Sequence, residues 1–156
     1  MELRKRGLGG SDVSAILKQS PFATPLDVYY DKLGLSQPIE ETDRMRAGKY
    51  LEPAVAEMFK DAHPEMDVRI DNYMRFHKKH KFMYANTDRI MQDENGKKGV
   101  LEIKCTNSWY AKTWTESIPY NFYVQAQHYL GVLGLDFCYI AVLIDGYKYD
   151  DYLLRS

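Results

Sequence analysis

The chain has 156 residues and a formal net charge of −1, with 45% hydrophobic and 28% charged residues. This length suits one domain with a single core, and the composition is that of an ordinary globular protein. The balanced charge does not by itself indicate a nucleic-acid partner. There is also no apolar run long enough to span a membrane and no signal peptide. The two cysteines lack metal-type spacing, so we expect a reduced, cytoplasmic location.

Three helices are predicted in the first part of the chain. Two glycines precede the first helix, and Ser11 is its expected N-cap. The second helix spans residues 24–34, with a threonine cap and a proline in its first turn. The third lies within residues 44–62, where apolar side chains recur with helical spacing. Glu52 lies beside that apolar stripe, so its carboxylate either reaches inward to a metal or stays on the surface.

Two or three strands are predicted next, at residues 68–76, 82–91 and 99–106. The pair Asn95-Gly96 separates the last two, and Asn-Gly is a strong signal for a tight hairpin turn. These two strands therefore form a hairpin, which brings their side chains next to one another.

The predicted hairpin carries the residues of greatest chemical interest. Side chains alternate along a strand, so Glu102 and Lys104 share one face, and Asp88 joins them if the register allows. Two acids and a lysine suit metal-assisted hydrolysis of a phosphodiester. Mg²⁺ takes one or two carboxylates, and a nearby lysine can orient the attacking water. Alternating charges are also typical of a solvent-exposed hairpin face, so this spacing alone does not decide between the two interpretations.

The last part of the chain predicts a helix followed by two strands. In the helix, at residues 121–133, Gln125 and Tyr129 are four apart and so adjacent on the surface, whereas Gln127 lies on the other edge. Residues 137–144 are continuously apolar and predict a strand covered on both faces. The order of elements predicts an α/β (α+β) fold with helices flanking a central mixed sheet. The chain stops directly after a strand, so a C-terminal extension could be absent.

Basic residues form three clusters, at residues 4–6, 77–81 and 97–98. Basic residues around an acidic centre are compatible with a protein that binds DNA and a metal together. Solvent-exposed loops explain each cluster equally well. Arg4 and the glycines before the first helix could also hold a phosphate at the helix N-terminus, although a plain capped helix explains the same residues.

Five short motifs follow one another along nearly the whole chain. They are Leu8-Gly9-Gly10-Ser11-Asp12, Gly48-Lys49-Tyr50-Leu51-Glu52-Pro53, Asn86-Thr87-Asp88, Leu101-Glu102-Ile103-Lys104 and Tyr123-Val124-Gln125-Ala126-Gln127-His128-Tyr129. Together they resemble the YqaJ-like viral recombinase (lambda exonuclease) family of the PD-(D/E)XK, or restriction-endonuclease-like, nucleases. Thr87 stands where that family usually has proline, and Asn86 where it has serine. The resemblance implies a restriction-endonuclease-like core in a single domain over residues 1–156.

The resemblance also implies a role for each site residue. Asp88, Glu102 and the carbonyl of Ile103 would ligate a metal, and Glu52 would bind or steer a second one. Lys104 would position or activate the attacking water.

Further residues would support this centre. Gln125 would orient the water or Lys104, with Tyr129 and Gln127 in supporting positions. Three polar residues would bind a 5′-phosphate: Arg4, Ser11 and Asn86.

The function implied by the resemblance is a Mg²⁺-dependent 5′→3′ exonuclease on double-stranded DNA, with two Mg²⁺ ions for which Mn²⁺ could substitute. It would release mononucleotides and leave 3′ single-stranded tails for phage-type homologous recombination in the host cytoplasm. A ring-shaped homotrimer and a single-strand-annealing recombinase partner are also implied. Two alternatives stay open, namely a structure-specific or nicking endonuclease of the same fold and a catalytically inactive DNA-binding phage protein.

Overall fold

The computed structural model describes residues 2–114 and 118–156. A five-stranded mixed sheet forms its centre, and helices pack on both faces. The predicted α/β architecture is therefore confirmed. Within the described part of the chain, no helix combines the length and the apolar character needed to cross a bilayer.

The elements follow the predicted order. The helices are α1 (Gly10–Ile16), α2 (Pro25–Leu33), α3 (Asp43–Ala62), α4 (Ser108–Ala111) and α5 (Tyr120–Leu133), with 3₁₀ turns at Glu2–Arg6 and Lys112–Trp114. The strands are β1 (Asp67–Ile70), β2 (Arg75–Phe76), β3 (Tyr84–Ala85), β4 (Arg89–Gln92), β5 (Lys98–Thr106), β6 (Phe137–Ile144) and β7 (Lys148–Arg155).

The main sheet has the strand order β1-β4-β5-β6-β7, and β2 and β3 form a separate pair. Strands β5 and β6 run parallel, whereas the other neighbours in the main sheet are antiparallel. The parallel pair is connected by α5, which packs back on the sheet. Strand β5, which carries the candidate site residues, is therefore the middle strand.

Two hydrophobic cores lie on opposite faces of this sheet. The core under α5 includes Val100, Leu130, Cys138, Ile140 and Val142. The core under α3 includes Val55, Phe59, Leu101, Ala141 and Leu143. Strand β6 supplies alternate side chains to both cores, so the prediction that it is covered on both faces is confirmed. The two cysteines are free thiols.

Helix α1 begins two residues earlier than the sequence predicted. Its N-cap is Gly9, not Ser11, and the Asp12 carboxylate accepts a hydrogen bond from the Gly9 N–H at 2.8 Å. The φ of Gly9 is −94°, so the glycine is not required by a left-handed backbone. A Cβ at this position would lie 2.9 Å from the ring of Tyr84, so close packing against that ring explains the glycine.

Two predicted strands are wrong in extent, because each is interrupted. The prediction at 68–76 divides into β1 and β2, and the prediction at 82–91 divides into β3 and β4. Asp71 accounts for both breaks. Its Oδ1 accepts a hydrogen bond from the Tyr73 N–H at 3.3 Å, and its Oδ2 accepts one from the Thr87 hydroxyl at 2.7 Å. Such side-chain bonds compete with the strand ladder and favour a local turn.

Candidate active site

The predicted hairpin is formed by β4 and β5, and it places Asp88 beside the part of β5 that extends past the start of β4. Strand β4 starts at Arg89, so Asp88 lies immediately before the strand and not within it. Its Oδ2 accepts a hydrogen bond from the Ile103 N–H at 2.9 Å. The N–H and C=O of one strand residue point to the same edge, so the Ile103 carbonyl faces the side occupied by Asp88.

Glu102 projects from β5 toward α5, and only 5% of its surface is exposed. Its Oε1 accepts hydrogen bonds from Lys104 Nζ at 2.7 Å and from Gln125 Nε2 at 3.0 Å. Its Oε2 is buried and has no hydrogen-bond partner among the residues that the structure describes. Leaving a buried acceptor unsatisfied is costly, so this oxygen is suited to receive a cation.

Lys104 is held in place by three neighbours. Besides its bond to Glu102, its Nζ donates to Gln125 Oε1 at 3.2 Å and lies 4.8 Å from the centre of the Phe122 ring. Gln125 is fixed in turn, because its Nε2 also donates to the Tyr129 hydroxyl at 2.7 Å. The lysine amine therefore has a defined position beside the buried carboxylate.

Burial and the neighbouring Glu102 both act on the Asp88 carboxyl. Burial is the main cause that raises the pKa of Asp88 to about 7, and the negative charge of Glu102 is the next. The hydrogen bond from the Ile103 N–H and the charge of Lys104 lower this pKa, but they do not offset the increase. A divalent cation between the two acids would relieve the repulsion and favour the charged form of Asp88.

The residues present fit a hard divalent cation. No group of three or more His, Cys, Asp or Glu side chains within residues 2–114 and 118–156 is arranged to hold a metal. A pair of acids nevertheless suffices for Mg²⁺, which usually binds one or two carboxylates and completes its shell with water and substrate oxygens. The available donors at Asp88, Glu102 and the Ile103 carbonyl are all oxygen atoms, as this ion prefers.

Glu52 reaches the edge of this centre from α3, on the opposite face of the sheet. Its Oε1 accepts a hydrogen bond from Arg89 Nη1 at 2.6 Å, and the same nitrogen donates to the Asp88 carbonyl at 2.7 Å. The charge of Glu52 also raises the pKa of Asp88, but as the smallest of the named causes. Glu52 is thus close to the acids and already has a cationic partner.

Arg89 was not predicted as a site residue. Only 8% of its surface is exposed, and it shares a strand face with Met91, which belongs to the core under α3. A buried arginine on an apolar strand face requires a carboxylate partner, so the alternation along β4 was the available signal.

Gln127 does not join the cluster. Its Nε2 donates to the carbonyl of Arg155 at 2.9 Å, at the end of β7. Two positions along a helix correspond to a rotation of about 200°, so Gln125 and Gln127 face different directions. The supporting role predicted for Gln127 therefore disagrees with its position.

The three predicted phosphate ligands are all exposed: Arg4, Ser11 and Asn86. In the described ranges, no hydrogen bond or ion pair joins their side chains. Leu8 forms a parallel bridge with Met83, so the segment that carries the first two runs beside the segment that leads to the third. The three residues thus lie on neighbouring segments, and their joint role stays a prediction.

Gly10 has a packing role that the sequence did not reveal. A Cβ at Gly10 would lie 2.8 Å from Cγ of Gln125 and 2.9 Å from the ring of Tyr129. Helix α1 therefore packs directly on the two α5 residues that hold Lys104 in place. No local pattern in the sequence signals a contact between residues so far apart along the chain.

Comparison with known proteins gives one match to a protein family and one to a curated relative. The family model described as "YqaJ-like viral recombinase domain" matches residues 1–136. The protein YqaJ of Bacillus subtilis (strain 168), described as uncharacterized, is 39% identical over 151 residues, which cover 94% of this chain and 46% of that protein. The chain thus spans about half the length of this relative.

Solved structures of exonucleases share the fold. The alkaline exonuclease LHK-Exo from Laribacter hongkongensis matches with a TM-score of 0.75 and 19% identity over 97% of this chain and 78% of that chain. Its complex with dAMP matches with a TM-score of 0.79 and 18% identity over 99% and 80%. A phage-related exonuclease from Haemophilus somnus 129PT matches with a TM-score of 0.64 and 12% identity. This match covers 96% of this chain and 84% of that chain. These low identities establish the fold alone, but the family match covers most of the sequence, and the chain belongs to the YqaJ-like viral recombinase family.

Proposed function

We propose that this chain is a Mg²⁺-dependent 5′→3′ exonuclease that acts on double-stranded DNA. It releases mononucleotides and leaves 3′ single-stranded tails for phage-type homologous recombination. The observation that carries the proposal is the bonded group of Glu102, Lys104 and Gln125 beside Asp88. One buried oxygen of Glu102 has no hydrogen-bond partner in the part of the chain that the structure describes. Family membership and the exonuclease fold support the same reaction class.

The metal ligands in this proposal are Asp88, Glu102 and the Ile103 carbonyl. When bound there, Mg²⁺ or its substitute Mn²⁺ polarises the scissile phosphate and lowers the pKa of the attacking water. Glu52 would bind or steer a second ion with the carboxylate oxygen that Arg89 does not occupy.

Lys104 and Gln125 position the water in this proposal. The ammonium group of Lys104 is fixed by Glu102 and Gln125, so it can orient a water molecule and offset negative charge that develops on the phosphate. Gln125 fixes the position of the Lys104 amine relative to the Glu102 carboxylate, because it bonds to both groups and is itself bonded to Tyr129. The proposed contribution of these residues is therefore orientation and charge.

Arg4, Ser11 and Asn86 would bind the 5′-phosphate of the DNA end. Their exposure on neighbouring segments supports this role, because a terminal phosphate can reach a cation, a hydroxyl and an amide there. Anchoring the terminal nucleotide would bring the next phosphodiester to the acids and so explain the direction. Arg4→Ala should slow digestion of 5′-phosphorylated ends more than that of 5′-hydroxyl ends, and equal slowing would remove the pocket from the proposal.

A ring-shaped homotrimer that threads DNA, together with a single-strand-annealing recombinase partner in the host cytoplasm, completes the proposal. Both follow from the resemblance to the lambda exonuclease family. Light scattering on the purified protein gives the molar mass, and a monomeric mass would contradict the ring.

The central test compares end-labelled linear duplex with covalently closed circular DNA in Mg²⁺. Stepwise release of mononucleotides from linear DNA alone supports the exonuclease. Cleavage of the circle would indicate an endonuclease, and binding without cleavage an inactive DNA-binding protein. Glu102→Ala and Lys104→Ala should each abolish hydrolysis while duplex binding persists, and wild-type cleavage by either variant contradicts the assigned roles.

A further inference from the structure

Two basic segments that are far apart in the sequence lie side by side at the surface. Leu8 forms an isolated parallel bridge with Met83. The Leu8 N–H donates to the Phe82 carbonyl at 2.6 Å, and the Tyr84 N–H donates to the Leu8 carbonyl at 3.0 Å. This contact places the 3₁₀ turn Glu2–Arg6 beside the loop that connects β2 to β3.

The contact between the two segments is close and well defined. A Cβ at Gly7 would lie 2.6 Å from the carbonyl oxygen of Phe82, so a side chain there would force the segments apart. Within the loop, Nδ1 of His77 accepts hydrogen bonds from the N–H groups of Lys79 and His80 at 3.1 and 2.8 Å. These bonds define the turn of the loop, and the bridge between Leu8 and Met83 places the backbone of this loop beside the N-terminal segment.

The side chains on this surface are cationic. Five exposed residues form what we call the paired basic surface: Lys5, Arg6, Lys78, Lys79 and Lys81. None of the five takes part in an ion pair within the described ranges, whereas Lys32, Arg89 and Lys104 each have a carboxylate partner. The loop at residues 77–82 also contains no acidic residue. In a chain with a net charge of only −1, this concentration produces a local positive field that attracts polyanions.

Both segments lead directly into the candidate active site. After Leu8 the chain enters α1, whose Gly10 packs on Gln125. After Phe82 the chain passes through β3 to Asp88, six positions later. Lys78, the loop lysine farthest from Asp88 along the chain, precedes it by ten positions. Ten residues span at most about 36 Å, which corresponds to roughly ten base pairs of B-DNA. A duplex whose strand lies at the acids can therefore reach the paired basic surface.

We infer that the paired basic surface binds the sugar-phosphate backbone of the duplex within about ten base pairs of the cleavage position. This inference rests on the proposed function for the placement of the DNA, but the binding itself requires neither metal nor hydrolysis. Phosphates along a duplex are regularly spaced charges, and exposed lysines on two adjoining segments can neutralise several of them at once. An acidic protein is the competing occupant, and its binding would not place a phosphodiester at the acids.

The test compares two pairs of adjacent lysines. The double variant Lys78→Gln/Lys79→Gln removes charge from the paired basic surface. The control Lys97→Gln/Lys98→Gln removes the same charge from exposed lysines in the β4–β5 turn, at the start of β5 and away from Glu102 and Lys104. Fluorescence anisotropy measures binding of each protein to a duplex with 5′-hydroxyl ends, in EDTA, over a range of salt concentrations. These conditions exclude metal binding and the 5′-phosphate.

The expected result is a change in salt dependence. Loss of two phosphate contacts should reduce the slope of log Kd against log salt concentration by about 1.8, and the control should keep the wild-type slope. Equal slopes for the two double variants would overturn the inference. It would also be overturned if Lys78→Gln/Lys79→Gln weakened binding to a polyglutamate peptide as much as it weakened binding to the duplex. Failure of the nuclease proposal would be seen separately. In that case the wild type would not cleave DNA in Mg²⁺, although the two double variants would still differ in slope.

Discussion

The side-chain nitrogen of Gln125 lies 3.0 Å from Oε1 of Glu102 and donates a hydrogen bond to it. The same Oε1 accepts the bond from Lys104, so both donors use one oxygen of the carboxylate, and Oε2 has no partner among residues 2–114 and 118–156. Gln125 therefore determines which oxygen of Glu102 is available to a cation. Helix α5 is thus part of the site although it contributes no acid.

The first prediction concerns Gln125→Ala. Without the amide, Lys104 and Glu102 lose their common partner, and the carboxylate can rotate. We expect a ten- to hundredfold reduction in nuclease activity and in Mn²⁺ affinity, which is typical for loss of a residue that orients a metal ligand. Rates on end-labelled duplex and titration calorimetry with Mn²⁺ measure the two quantities.

Gln127→Ala is the matched control, because Gln127 has the same chemistry on the same helix but bonds to the Arg155 carbonyl. It should retain activity and Mn²⁺ affinity close to those of the wild type. Similar losses in the two variants would show that a general weakening of α5, and not the bonds made by Gln125, explains the effect.

The second prediction concerns pH. Burial first, and then the charge of Glu102, raise the pKa of Asp88 from 3.8 to about 7. Between these values the folded state binds more protons than the unfolded state, so stability decreases as the pH rises through this range. In EDTA, the free energy of unfolding should fall by roughly 2–3 kcal/mol between pH 5 and pH 8 because of this group. Urea denaturation at the two pH values measures the difference.

Asp88→Asn provides the control for the pH effect. The amide cannot ionise, so the variant should lose this part of the pH dependence. Added Mg²⁺ binds the charged carboxylate and should stabilise the wild type more at pH 8 than at pH 5. An unchanged pH dependence in the variant would assign the effect to other groups.

Local patterns in the sequence were sufficient for much of the fold. Asn95-Gly96 marks the β4–β5 turn, where Gly96 has a φ of +80°. Thr24 caps α2 by accepting the Asp27 N–H at 3.2 Å, and Gly34 ends that helix with a φ of +74°. In each case the residues that determine the turn or the helix end lie within a few positions of it, so local rules for turns and caps apply.

Contacts between distant residues were not accessible in the same way. The bond between Thr87 and Asp71 joins positions 16 apart and breaks two predicted strands, and the ion pair between Arg89 and Glu52 joins positions 37 apart. The alternation along β4 indicates that Arg89 needs a carboxylate partner, but the hydrophobic pattern does not identify the partner in either pair. Strand alternation was sufficient to place Glu102 and Lys104 on one face, whereas the position of Asp88 just before β4 and the groups that hold the acids depend on tertiary packing.

The third prediction concerns the hydrogen bond that braces the segment before Asp88. The hydroxyl of Thr87 donates to Oδ2 of Asp71 at 2.7 Å, and both residues are buried. Thr87→Val keeps the shape but removes the donor, so the buried carboxylate retains Arg75 and loses one partner. We expect a loss of about 1–3 kcal/mol in the free energy of unfolding, measured by urea denaturation.

Thr87→Ser separates the hydrogen bond from the packing of the methyl group. Serine keeps the hydroxyl, so its loss of stability should be clearly smaller than that of the valine variant. The valine variant should also cleave DNA more slowly, because the braced segment leads directly into Asp88. Equal destabilisation by both substitutions would mean that the methyl contact, and not the hydrogen bond, holds this segment.

The fourth prediction compares two helical glycines. A Cβ at Gly10 would press on Gln125 and Tyr129 at less than 3 Å, whereas a Cβ at Gly131 in α5 meets no atom within 4 Å. Gly131→Ala should therefore stabilise the protein by about 0.5–1 kcal/mol, because alanine loses less backbone entropy on folding, and should leave activity unchanged. Gly10→Ala should cost about 1–3 kcal/mol through overpacking and reduce the cleavage rate, because it displaces the amide that holds Lys104. Urea denaturation and digestion of end-labelled duplex measure both effects. A Gly10→Ala protein with the wild-type cleavage rate would show that α1 can move away without disturbing the site.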